Sequence, residues 1–115
     1  MNIDPKAALQ RTETLMLDMD GTILDLAFDN YVWRDLVPRR YAAAKGLTFE
    51  VARDQLFERY RSVQGDLEWY CLDHWCEQLG IDVMQAHHDV NHRIGYLPGA
   101  LDFLRTVHKQ DTRVL

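Results

Sequence analysis

Apolar positions recur along the chain in two rhythms. From Thr14 to Leu17 four apolar or β-branched residues stand side by side, followed by Asp18, Asp20, Gly21 and Thr22. A short apolar run closed by a glycine turn reads as a strand buried on both faces. From Asp29 the spacing becomes helical. Trp33, Leu36 and Val37 repeat at i, i+3 and i+4 behind an N-cap at Asp29 or Asn30. Pro38 kinks or ends this stretch, and Tyr41 to Lys45 carry it on to a C-cap at Gly46. Thr48 caps the next helix, with Val51, Leu56, Phe57 and Tyr60 as its apolar face and Gly65 as its end. Asp66 opens another through Leu67, Tyr70, Trp75 and Leu79 to Gly80, and Asp82-Val83-Met84-Gln85 has the spacing of a capping box for a last helix to about Ile94. Residues 29–95 thus read as four helices with short turns, a small bundle.

Beyond the bundle, Gly95 to Gly99 reads as a return hinge, with Pro98 in the first turn of a following helix. Ala100, Leu101, Leu104 and Val107 form that helix's core face, Lys109-Gln110-Asp111 is a turn, and Arg113-Val114-Leu115 opens a second strand. The polar stretch ahead of Thr14 reads as a lead-in. Three segments follow: 1–28 with the first strand, 29–95 helical, and 96–115 returning to the sheet.

Composition changes this picture little. An apolar share of 47% with 27% charged residues is that of an ordinary globular chain. The net charge of −5 argues against a nucleic-acid surface and against a polybasic membrane patch. Cys71 and Cys76 lie at a spacing that suits neither a zinc ribbon nor a redox pair, so free thiols in a reducing compartment are expected. No long apolar segment or signal-like start is visible, so the expected location is the cytoplasm.

Chemistry concentrates at Asp18 and Asp20. An unpaired buried charge costs several kcal/mol, so two carboxylates belong just past the end of a buried strand. In open parallel sheets that is where the ligand crevice lies. Metal-assisted phosphoryl transfer uses such a pair. One carboxylate attacks phosphorus; the other protonates the leaving group and later deprotonates water. Mg²⁺, a hard cation with oxygen ligands, relieves their repulsion. Gly21 lets the backbone turn so that main-chain N–H groups approach phosphate oxygens. A calcium loop is excluded, because its glycine stands at the sixth position and Ile23 is there. A solvated surface turn is the alternative.

Asp18-Met19-Asp20-Gly21-Thr22 behind an apolar strand resembles the first motif of the haloacid dehalogenase-like (HAD) hydrolases. The resemblance implies an α/β fold, a Rossmannoid parallel-sheet core with an inserted α-helical cap that closes over the site and helps select the substrate. It implies Asp18 as nucleophile, Asp20 as general acid/base, and Mg²⁺ held by the Asp18 carboxylate and the Asp20 carbonyl. The second aspartate favours a phosphatase over a dehalogenase. Leu24 to Tyr31, Trp69-Tyr70-Cys71-Leu72-Asp73 and Glu77-Gln78-Leu79-Gly80 narrow the likeness to the bacterial GMP/IMP nucleotidases of that superfamily. The implied substrate is a small phosphate monoester, a purine nucleoside 5′-monophosphate, with Gly21 and Thr22 at its phosphate. No nucleic acid or membrane partner is implied.

The superfamily's later motifs, a Ser or Thr, a Lys and acidic metal ligands, find no counterpart. The chain is therefore expected to be the N-terminal part of a larger enzyme and inactive alone. Two alternatives stand beside this reading: a sugar-phosphate phosphatase or phosphomutase of the same fold, and a short non-catalytic helical binding protein. Other features read as structural. His88 and His92, like His87 and Asn91, lie on a solvated helix face, and Arg39, Arg40, Arg59 and Arg61 read likewise. Asp25 and Asn30 read as capping or connection chemistry. Tyr31, Trp33, Trp69, Tyr70 and Trp75 have the geometry to stack on a base, but at helical spacing they read as packing.

Overall fold

The computed structural model describes residues 4–115; the first three residues of the expected 1–28 segment lie outside it. The chain divides into two units, the described residues up to Leu26 with Ile94–Leu115, and Ala27–Arg93 between them. Most elements are helical, and a two-stranded parallel sheet completes the set among the described residues.

In the first unit, helix α1 (Pro5–Arg11) starts where the Asp4 side chain accepts from the Lys6 N–H and proline occupies the first turn. A polar lead-in was expected here. The Asp-Pro pair is in fact an N-cap followed by a residue whose fixed φ suits helix entry. Strand β1 (Thr14–Leu15) pairs in parallel with β2 (Arg113–Val114), in register Thr14 to Arg113. The ladder reaches further at both ends, since Arg113 N–H donates to Glu13 O and Leu17 N–H to Leu115 O. Helix α7 (Ala100–Lys109) precedes β2 and turns Ala100, Leu101, Leu104 and Val107 inward, as expected. It begins after Gly99, so Pro98 lies in the turn before it and not in its first turn.

The strand departs from the expectation of burial on both faces. Leu15 and Leu17 are half-buried, whereas Met16 is 79% exposed. A central parallel strand is buried by neighbours on both edges and helices on both faces. Here β1 has one paired neighbour among the described residues, and its alternate side chains face solvent.

The helical unit holds the main core. Helix α2 (Ala27–Tyr31) runs into a π-helical turn (Val32–Leu36) and then α3 (Val37–Lys45), which ends on Gly46 at φ +68°. Pro38 explains the wide turn. Val37 N–H donates to Val32 O, five residues back, and Pro38 has no N–H to offer. The Trp33 carbonyl is left without an amide, and the Tyr60 hydroxyl of α4 (Phe49–Val63) donates to it at 3.1 Å. Thr48 caps α4 as expected, accepting from Val51 N–H, but the buried face is Ala52, Leu56 and Tyr60, with Val51 44% exposed.

The single helix expected over 66–79 is split. A 3-10 turn (Leu67–Tyr70) precedes α5 (Leu72–Leu79), and Cys71 between them is extended. The break lets the Trp69 carbonyl accept from Trp75 Nε1 at 3.1 Å. Asp82 caps α6 (Val83–Asp89) through Gln85 N–H at 2.9 Å. That helix stops short of Ile94, and a second 3-10 turn (Asn91–Arg93) closes the unit. His88 and His92 therefore share no helix. The Arg93 guanidinium lies 3.8 Å from the Tyr31 ring centre, joining the unit's last turn to its first helix.

Val32, Val37, Ala52, Leu56 and Val83 are wholly buried here, with Trp75 and Leu79 almost so. In the first unit, among the described residues, the buried hydrophobics are Ala100 and Val107, of which Val107 is wholly so.

Candidate functional site

Asp18 and Asp20 follow the paired stretch of β1 directly, and both are exposed. Neither carboxylate is held by an ion pair or hydrogen bond among the described residues. The loop behind them is tightly built. The Met19 carbonyl accepts from Ile23 N–H at 3.0 Å and Leu24 N–H at 2.9 Å, and Gly21 N–H donates to Leu24 O at 2.9 Å. Gly21 sits at φ +77°, and a Cβ there would come within 3.3 Å of Leu26 Cδ1. A side chain at 21 is therefore strained twice, by the backbone and by Leu26.

Thr22 is exposed at the loop's outer turn, its N–H reaching Met19 O at 3.3 Å. The Gly21 and Thr22 amides thus close the loop. The return segment braces the loop: Leu97 N–H donates to Ile23 O, Asp25 N–H to Gly95 O, and Leu24 bridges antiparallel to Tyr96.

The donor set suits a hard cation in kind. Exposed carboxylates with no protein partner are oxygen ligands of the type Mg²⁺ takes, one or two at a time with water and phosphate. Among the described residues no group of three or more acidic, His or Cys side chains gathers around a common point. Cys71 and Cys76 are free thiols, and the Cys76 sulfur accepts from Val83 N–H.

A second feature lies wholly inside the helical unit. A cavity of about 300 Å³ is walled by Trp33, Phe57, Tyr60, Trp69 and Trp75. Asp29, Asn30, Arg34, Arg61 and Gln64 supply its polar lining. The rings meet edge to face: Trp33 and Tyr60 at 5.6 Å, Tyr60 and Trp75 at 5.3 Å, Tyr60 and Trp69 at 6.2 Å. Burial pushes the Tyr60 phenol well above its usual range, so it stays protonated and remains a donor to Trp33.

Of the aromatic residues singled out in the sequence, Trp33, Trp69 and Trp75 meet at this cavity. Tyr70 is 79% exposed, and Tyr31 lies under Arg93. Among the arginines, Arg61 lines the cavity but pairs with Glu58 at 2.8 Å, while Arg39 and Arg40 pair with Asp35 and Asp89. Arg59 donates to Gln78 O. Arg34, Gln64 and Phe57 carried no sequence signal for a shared site, because they are brought together only by packing of the π turn against α4.

No family model matches the chain, and no solved structure does. Curated relatives do: the GMP/IMP nucleotidase YrfG of Escherichia coli (strain K12) and that of Shigella flexneri. Each is 43% identical over 100 residues. This chain resembles the GMP/IMP nucleotidases of the HAD superfamily. The aligned stretch covers 87% of this chain and 45% of each relative, so the chain spans about half the length of the nucleotidases it matches. No helix among the described residues is long and apolar enough to cross a membrane.

Proposed function

We propose that these residues belong to a Mg²⁺-dependent phosphatase of HAD type that hydrolyses GMP and IMP in the cytoplasm. The relatives are about twice as long as the aligned stretch, so the activity is proposed for a protein that includes a counterpart of their remaining half. The observation that carries the reading is the pair Asp18 and Asp20, without side-chain partners among the described residues and exposed at the end of a parallel-paired strand, on a loop that Gly21 closes.

In this reading an Asp18 carboxylate oxygen attacks phosphorus in line with the departing nucleoside oxygen. The P–O bond to the nucleoside breaks as an aspartyl-phosphate forms, and Asp20 gives its proton to the leaving oxygen. Asp20, now ionised, takes a proton from water, whose oxygen attacks phosphorus and frees phosphate and Asp18. The Asp18 carboxylate and the Asp20 carbonyl would hold Mg²⁺, which would supply charge neutralisation for the attack. Gly21 shapes the loop and the Thr22 hydroxyl faces the phosphate. The helical unit, Ala27–Arg93, serves as the cap of this enzyme.

The test is a substrate panel on the longer protein, GMP and IMP against phosphosugars, with Asp18→Asn alongside. The variant is expected to lose at least about a thousandfold in turnover, on the order of 4 kcal/mol of barrier. Its helix content should not change, since the Asp18 carboxylate makes no hydrogen bond or ion pair among the described residues. Retention of turnover in Asp18→Asn, or preference for a phosphosugar, overturns the proposal.

A further inference from the structure

The aromatic cavity is built around an unusual backbone. Trp33 and Arg34 both stand on the π-helical turn that Pro38 accompanies. Such turns occur often at functional sites, because the extra residue re-aims side chains that a regular helix would direct elsewhere. Here the turn places an indole and a guanidinium side by side on one cavity. Tyr60, locked by its bond to the Trp33 carbonyl, fixes the opposite wall.

The lining has the two parts that recognition of a heteroaromatic ring requires: flat apolar faces and a few polar groups to orient the guest. Its volume, about 300 Å³, stands at the lower end of the range for small-molecule sites, roughly 300–1,000 Å³. That suits a single fused ring system better than a whole nucleotide. Arg61 is engaged with Glu58, whereas Arg34 has no carboxylate partner among the described residues. A free guanidinium at an aromatic pocket matches paired acceptors such as O6 and N7 of guanine, which it meets with two parallel N–H bonds. Hypoxanthine carries the same two acceptors. Adenine has an amino group in place of the oxygen and repels the donor.

We propose that this cavity takes the base of a 6-oxopurine, stacked against the partly buried Trp33 and Trp69, and that Arg34 reads the oxygen and N7. The inference rests on the nucleotidase reading and assigns it a base-selecting residue in the helical unit. It concerns base binding alone, and no metal or phosphate contact enters it.

All three tryptophans of the chain line the cavity, so their emission reports on it directly. The experiment titrates guanosine, inosine, adenosine and ribose 5-phosphate into the full chain, following tryptophan emission and the indole N–H resonances. Guanosine and inosine should give saturable changes, adenosine should bind about tenfold more weakly or worse, and ribose 5-phosphate should do nothing. Arg34→Met should bring inosine and adenosine within about twofold of each other while helix content stays unchanged.

No saturable response to any nucleoside, equal binding of inosine and adenosine, or a preference that survives Arg34→Met overturns the proposal. Assay of the longer protein separates the two readings. GMP hydrolysis with no guanosine response refutes the pocket and leaves the nucleotidase. A selective guanosine response without GMP hydrolysis keeps the pocket and refutes the nucleotidase.

Discussion

The two units solve the same folding problem unequally. The helical unit buries leucines, valines and a tryptophan almost completely, and its polar strays are satisfied from within, as Tyr60 does for Trp33. The unit that carries Asp18 and Asp20 has two buried hydrophobics among its described residues, Ala100 and Val107, and leaves Met16, Met19 and Leu115 largely exposed. Apolar burial is the dominant favourable term in folding, so the first arrangement is expected to hold by itself better than the second. Among the described residues, Asp18 and Asp20 thus stand in the less buried of the two units.

Cutting the two apart gives the sharpest test. Residues 27–93 expressed alone should keep their helical circular dichroism and unfold cooperatively in urea. Residues 4–26 joined to 94–115 by a short linker should show no cooperative transition. A cooperative transition in the second piece, or its loss in the first, breaks the comparison.

Leu56→Ala comes next. Leu56 is wholly buried, and removing its side chain should cost about 2–5 kcal/mol, read as a lower urea midpoint. Leu15→Ala, at a half-buried position in the sheet, should move the same midpoint far less. Tyr60→Phe is subtler, because ring packing survives and only the donor to the Trp33 carbonyl is lost. A destabilisation of about 1–3 kcal/mol is expected if that carbonyl is left dry, and none if water reaches it.

The smallest effect concerns Asp89. Hydrogen bonds from Gln85 and Arg40, the latter at 2.7 Å, hold its carboxyl below the usual carboxylate range. A depressed carboxyl contributes stability above its unfolded value, and that contribution fades as pH falls through the folded one. The urea midpoint should therefore drop slightly more steeply on acidification in the native chain than in Asp89→Asn. The side chains are well exposed, so added salt should shrink the difference.

What the sequence made legible followed from local chemistry. Thr48 and Asp82 cap helices, and Gly46 and Gly80 end them in the left-handed region, because each acts within one turn of itself. The inward face of α7 and the start of β2 were readable for the same reason. The Asp4-Pro5 start of α1 carried a local signal too, but its polar surroundings masked it. The break at Cys71 and the burial of Ala52 in place of Val51 depend on which neighbours pack, and neighbours are not written in a local pattern. At the site, Asp18 and Asp20 stood out because carboxylates contradict the strand before them. The cavity did not, since Arg34, Phe57 and Trp75 come from three separate elements and each by itself reads as an ordinary helix residue.

The stack of Arg93 on Tyr31 makes the helical unit begin and end at nearly the same point. A segment with adjoining ends enters a host chain almost as a short loop does, adding little closure entropy however long it is. The sixty-odd residues between Leu26 and Ile94 thus form a cassette. Another helical module with equally close ends should be accepted in its place with β1 still paired to β2.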